Sequence, residues 1–97
     1  MPKFVIRLHG TGCRIRTTRR RWLLFRESVI QSVGFYTTRF IEAPQEQKAI
    51  TEAISLAQEQ LKNNDIVEMP RIIEVDEIYI DEEAYDSFAP GNGFTWY

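Results

Sequence analysis

One cysteine, Cys13, and one histidine, His9, are all that this 97-residue chain offers to thiol and imidazole chemistry. A disulfide framework needs cysteines in pairs, so none forms within the chain. Secreted domains of this size are often stapled, and the lone thiol therefore points to a reducing compartment and a cytoplasmic protein. One His, one Cys and scattered carboxylates fall short of the ligand number and spacing of zinc, so no metal and no cofactor is expected. No apolar run approaches the roughly 18 residues that cross a bilayer, and a membrane partner is not expected. The opening MPKFVIRLHG is interrupted by Arg7 and is too short and too charged for a signal peptide. Repeats, low-complexity tracts and dividing linkers are also missing, which makes residues 1–97 one domain.

What is present reads as a folded chain. Apolar residues make up 43% and charged residues 27%, both ordinary for a globular domain. Charge is segregated along the sequence. Residues 1–42 hold nine Lys/Arg against two Asp/Glu, a balance of +7, and residues 43–97 hold three against twelve, a balance of −9. Such asymmetry marks either an external acidic partner or two halves that attract each other.

Hydrophobic periodicity sets the elements. Phe4, Ile6 and Leu8 alternate with Val5, Arg7 and His9, predicting a strand over 3–9 that Gly10 and Gly12 break. Arg14, Arg16, Thr17 and Thr18 favour an extended segment. Residues 22–26 read as a short strand, with a turn or loop over 27–33, although Trp22, Phe25, Val29 and Val33 also fit a helical stripe. Residues 35–42 are rich in strand formers, with Phe35 and Ile41 on one face and Tyr36 and Phe40 on the other. Pro44 suits a first helical position. Ile50, Ile54, Ala57 and Leu61 then form an apolar stripe centred on Ile54, with Ala53 alongside and Asn63–Asn64 as the cap. Arg71–Ile80 is a strand whose parity slips near Asp76–Glu77, which predicts a bulge. Asp81–Glu83 reads as a solvated charge run, and APGNG as a turn before the strand-compatible FTWY. The fold class is α+β: a mostly antiparallel sheet with one long helix on one face. A ferredoxin-like sandwich is the variant, with its second helix over 19–33.

Through GFYTTRFIEA, the Pro-started helix after it and the closing PGNGFTWY, the sequence resembles a family of small bacterial proteins with no assigned activity. The likeness spans the first strand, residues 34–62 and the tail, while 13–33 is longer here than in that pattern. It implies a compact intracellular α+β domain and carries over no catalytic residue.

Cys13 and His9 beside two glycines resemble an activated thiolate. No P-loop lysine follows them and no third group orients them, so the chain is read as non-enzymatic with no catalytic residue. The basic arm is the most functional-looking feature. Arg14, Arg16, Arg19, Arg20, Arg21 and Arg26 lie within thirteen residues, interleaved with Trp22 and Phe25. With Tyr36, Trp96 and Tyr97 as an aromatic patch, they make the expected partner-binding set. The expected partner is a second copy or another protein, giving a binding or assembly domain. A nucleic acid held by residues 14–26 is the alternative, since arginine pairs with phosphates and aromatics stack on bases.

Overall fold

The computed structural model describes residues 1–22, 25–62, 66–91 and 93–97, with side chains described outside 17–27. The element order is β1 (Lys3–Trp22), β2 (Phe25–Glu42), α1 (Glu46–Leu61), β3 (Ile66–Glu68), β4 (Ile72–Ile80), α2 (Glu82–Phe88) and β5 (Thr95–Trp96). All pairings are antiparallel: β1 takes β2 along one edge and β3 and β4 along the other, and β5 adds to the far edge of β2. The α+β class stands.

The glycines do not break the first strand. Between Gly10↔Phe35 and Cys13↔Val33 the ladder shifts register, and β1 continues to Trp22. Gly12 supplies the positive φ of 74° that such a bulge asks for. Gly10 lets the Phe35 ring lie over the strand, where an added Cβ would sit 2.3 Å from ring carbons. Residues 27–33, expected as turn or loop, are strand, because 13–19 of β1 give them a full ladder partner. That pairing also removes the helix the ferredoxin-like variant needs. The single strand expected over 22–26 is instead divided: Trp22 ends β1 and Phe25 and Arg26 open β2, with Trp22 paired to Phe25, and Leu23 and Leu24 lie outside the described residues.

Cross-strand partners share a face. Phe4↔Ile41, Ile6↔Arg39, Leu8↔Thr37 and Gly10↔Phe35 lie on the face that α1 covers. Ala49, Ala53, Ala57 and Leu61 are the fully buried residues of that helix. Their strict four-residue spacing lets the backbone approach the sheet closely. The stripe is thus rotated from the expected one, and Ile50 and Ile54 are half-buried at its flank. The helix begins at Glu46 rather than Pro44, with Gln45 as an extended N-cap. Its expected cap at Asn63–Asn64 lies outside the described residues.

Val5↔Phe40, Arg7↔Thr38 and His9↔Tyr36 line the opposite face. Here a second helix departs from the single-helix expectation. The acidic run is its N-terminus: Asp81 accepts from the Ala84 N–H at 3.0 Å, and Glu82 and Glu83 complement the dipole of the first turn. Lys3 to Asp86 and Phe40 to Phe88 hold it against this face. The expected bulge in β4 is present, with Arg7↔Glu77 followed by Leu8↔Val75 and Asp76 left over.

Emptying the centre of the apolar layer tests this arrangement. Leu8→Ala should lower unfolding free energy by about 2–5 kcal/mol in urea titration, the range for a fully buried aliphatic site. Ile54→Ala, on the flank, should cost about 1 kcal/mol. Equal losses would place Ile54 back at the centre of the stripe.

Candidate functional site

Past the pair Ile15↔Ile66, β1 and β2 have no other strand partner among the described residues and continue as a two-stranded ribbon. The ribbon stretches the molecule to 54 × 26 × 19 Å. The Cα radius of gyration is 15.8 Å, against roughly 13 Å for a compact chain of 100 residues. A lone two-stranded ribbon is marginal in water. This one sets Arg19 opposite Glu27 and Arg20 opposite Arg26, and like charges directly across are unfavourable. The expected basic arm is therefore a protruding ribbon. Arg14 and Arg16 are exposed on it, and Arg14 reaches Glu68 at 3.7 Å. The side chains of Arg19, Arg20, Arg21, Trp22, Phe25 and Arg26 lie outside the described residues and are placed by backbone register alone.

The opposite charge is gathered elsewhere. Residues 72–88 hold seven carboxylates and no Lys or Arg. Part of that charge is met by the body of the same chain. Lys3 bonds Asp86 at 2.8 Å and lies 3.5 Å from Glu82. Arg7 bonds Asp76 at 2.6 Å and lies 3.6 Å from Glu77. The hydrogen bond that Lys3 donates to Asp86 raises the pKa of its ammonium above the ordinary value, and the one that Arg7 donates to Asp76 does the same for its guanidinium. The two halves do attract each other, but through Lys3, Arg7 and Arg14. One edge of β4 faces β1, and the other has no strand beside it among the described residues.

The aromatic patch divides. Alternation along β5 sends Trp96 to the α1 face, beside Phe35 and Phe94. Tyr97 goes to the opposite face, where it hydrogen-bonds His9, and His9 stacks on Tyr36 at 4.6 Å. Tyr36, Trp96 and Tyr97 therefore do not form one surface. The tail is docked rather than free: Gly34 and Tyr97 exchange backbone bonds of 3.0 Å each, and Phe40 N–H donates to Pro90. Beside these ties lies a depression of about 720 Å³, lined by Arg7, Tyr36, Phe40, Phe88 and Phe94 among others.

Arg39 fastens the tail from the α1 face. It is fully buried. Its Nη1 donates to the Gly91 carbonyl at 2.7 Å, and its Nε to Thr37 Oγ1 at 3.1 Å. The Thr37 hydroxyl in turn donates to the Gly93 carbonyl at 2.6 Å. The guanidinium sits 5.2 Å from the Phe94 ring centroid. Its Nη2 has no hydrogen-bond partner among the described residues, and burial lowers its pKa. The parity that puts Phe35 and Ile41 on one face also puts Arg39 there, and this was the signal available in sequence.

Cys13 is buried at the bulge, and burial raises its pKa, the reverse of what an activated thiolate requires. His9 instead contacts Tyr36, Tyr97 and Glu74. No protein-family model, no curated protein and no solved structure matches the chain.

Two measurements probe these placements. Arg39→Met keeps most of the apolar volume and loses the bond to Gly91. Chymotryptic cleavage at Phe94 and Trp96 should then speed up about tenfold, as expected for losing one charge-assisted hydrogen bond. An unchanged rate would mean that the guanidinium does not hold the tail. Native Cys13 should react with a thiol-specific disulfide reagent far more slowly than free cysteine and match it in denaturant. Rapid native reaction would contradict its burial.

Proposed function

We propose that this protein is a non-enzymatic binding and assembly domain that self-associates through the basic ribbon. The observation that carries the reading is the ribbon itself. Its six arginines lie on strands that leave the body, with Arg20 opposite Arg26, while the carboxylates of the body are shared among Lys3, Arg7 and Arg14. An anionic surface outside the chain is what such a ribbon lacks. A second copy supplies one in residues 72–88. The lone buried thiol suits a reducing, cytoplasmic setting.

One observation favours nucleic acid instead. A two-stranded ribbon fits the major groove of B-form DNA, and arginine reads guanine and phosphate there. The acidic body and a sequence pI near 5.4 oppose it, because phosphates would meet that body next to the ribbon.

Mass in solution across a salt series decides between them. Self-association should weaken as salt shortens the screening length from about 10 Å at 0.1 M to about 3 Å at 1 M. The melting temperature should rise with protein concentration. Replacing Arg19, Arg20 and Arg21 by Gln should shift the protein towards monomer. A wild type that is monomeric throughout, yet binds duplex DNA with a steep salt dependence, would hand the ribbon to nucleic acid.

A further inference from the structure

We infer that the receptor for the ribbon is the open edge of β4 in a second copy, joined by strand addition and flanked by α2. This rests on the self-association reading and names its acceptor.

The edge has unmet backbone capacity. β4 is nine residues long and, among the described residues, is paired only to β1. In an antiparallel ladder alternate residues turn their N–H and C=O away from the partner, so β4 offers a row of such groups on its free side. Apolar side chains flank the row. Ile72 is 56% exposed, Tyr79 46% and Ile80 61%, while Ile73, Val75 and Ile78 are half-buried beside α1. One helix on this face covers the centre of the sheet and leaves the β4 side open.

Charge chooses the occupant. A second β4 laid along the first would bring one acidic segment, with Glu74, Asp76 and Glu77, beside another, and like charges across strands repel. The same carboxylates attract an arginine-bearing strand. Residues 14–26 contain six Arg and no acid, and residues 72–88 contain seven acids and no Lys or Arg. The lengths agree as well. Residues 16–22 of β1, past the pairing with β3, run about 23 Å, and the nine residues of β4 run about 30 Å. Ile30, 47% exposed and opposite Arg16 on β2, adds apolar surface to the ribbon. This mode is β-augmentation, in which main-chain bonds give affinity and side chains give specificity.

The test is a charge exchange. One variant reverses the ribbon, with Arg19, Arg20 and Arg21 each replaced by Glu. The other reverses the edge, with Glu74→Lys and Glu83→Lys, which leaves both carboxylates beside Arg7 in place. Each variant alone should self-associate at least about a hundredfold more weakly than wild type. Mixed, they should form a heteromer, because each ribbon then meets an edge of opposite sign. Hydrogen exchange gives a second readout that does not depend on the edge variant folding well. Alternate β4 amides should be protected in associated wild type and exchange quickly in the ribbon variant. If wild type associates but the mixture forms no heteromer and the β4 amides stay unprotected, the acceptor is wrong while self-association stands. If wild type is monomeric at every salt and concentration, the functional reading falls first.

Discussion

Everything in this molecule hangs on the ladder between β1 and β2. It is the one pairing that runs from the core to the far end of the ribbon, and each other element is placed by reference to it. Its register puts Phe4, Ile6 and Leu8 opposite Ile41, Arg39 and Thr37, and so decides what α1 can cover. A slip of one residue would turn the whole apolar set to the other face. The shift at Gly10–Cys13 lets one continuous strand serve two environments. Before the bulge β1 is a central strand with neighbours on both edges, and after Ile15 it is half of a ribbon.

Much of this was legible from period and parity. Strand alternation showed which residues of 3–9 and of 35–42 share a face, the slip near Asp76 and the strand character of the tail. The helix was legible in extent, but its buried stripe was not. Ile and Leu outweigh Ala in any hydrophobic count, yet close packing on a sheet selects the alanines at 49, 53 and 57. Residues 27–33 misled for a different reason. Glu27, Ser28, Gln31 and Ser32 carry little strand preference, and their conformation is set by a distant partner strand. Tertiary pairing overrides local propensity in such cases. The helix over 82–88 was hidden because a run of acids reads as solvent-facing until the Asp81 cap is recognised.

On the candidate surfaces, composition showed that positive and negative charge were separated but not how far apart they lay. Only the topology shows that Lys3 and Arg7 face the acidic segment while the arginines of residues 14–26 are carried away from it. The aromatic patch failed as a unit because two adjacent strand residues, Trp96 and Tyr97, must point to opposite faces. Arg39 is the reverse case. Its parity was visible, but arginine is so seldom fully buried that composition argues against it.

The docked tail has a consequence for how the sheet can grow. β2 would otherwise show a second bare edge on the side away from β4. By binding Gly34, Tyr36 and Phe40, the last residues occupy part of that side with the chain's own backbone. The tail thus closes the body's flank of β2 and leaves the β4 side open to a further strand. A contact in which the ribbon of one copy fills the edge of another is heterologous, and it stays finite only where the exchange closes on itself, as a reciprocal pair or a ring. Arg39, by bonding Gly91, helps hold that flank closed.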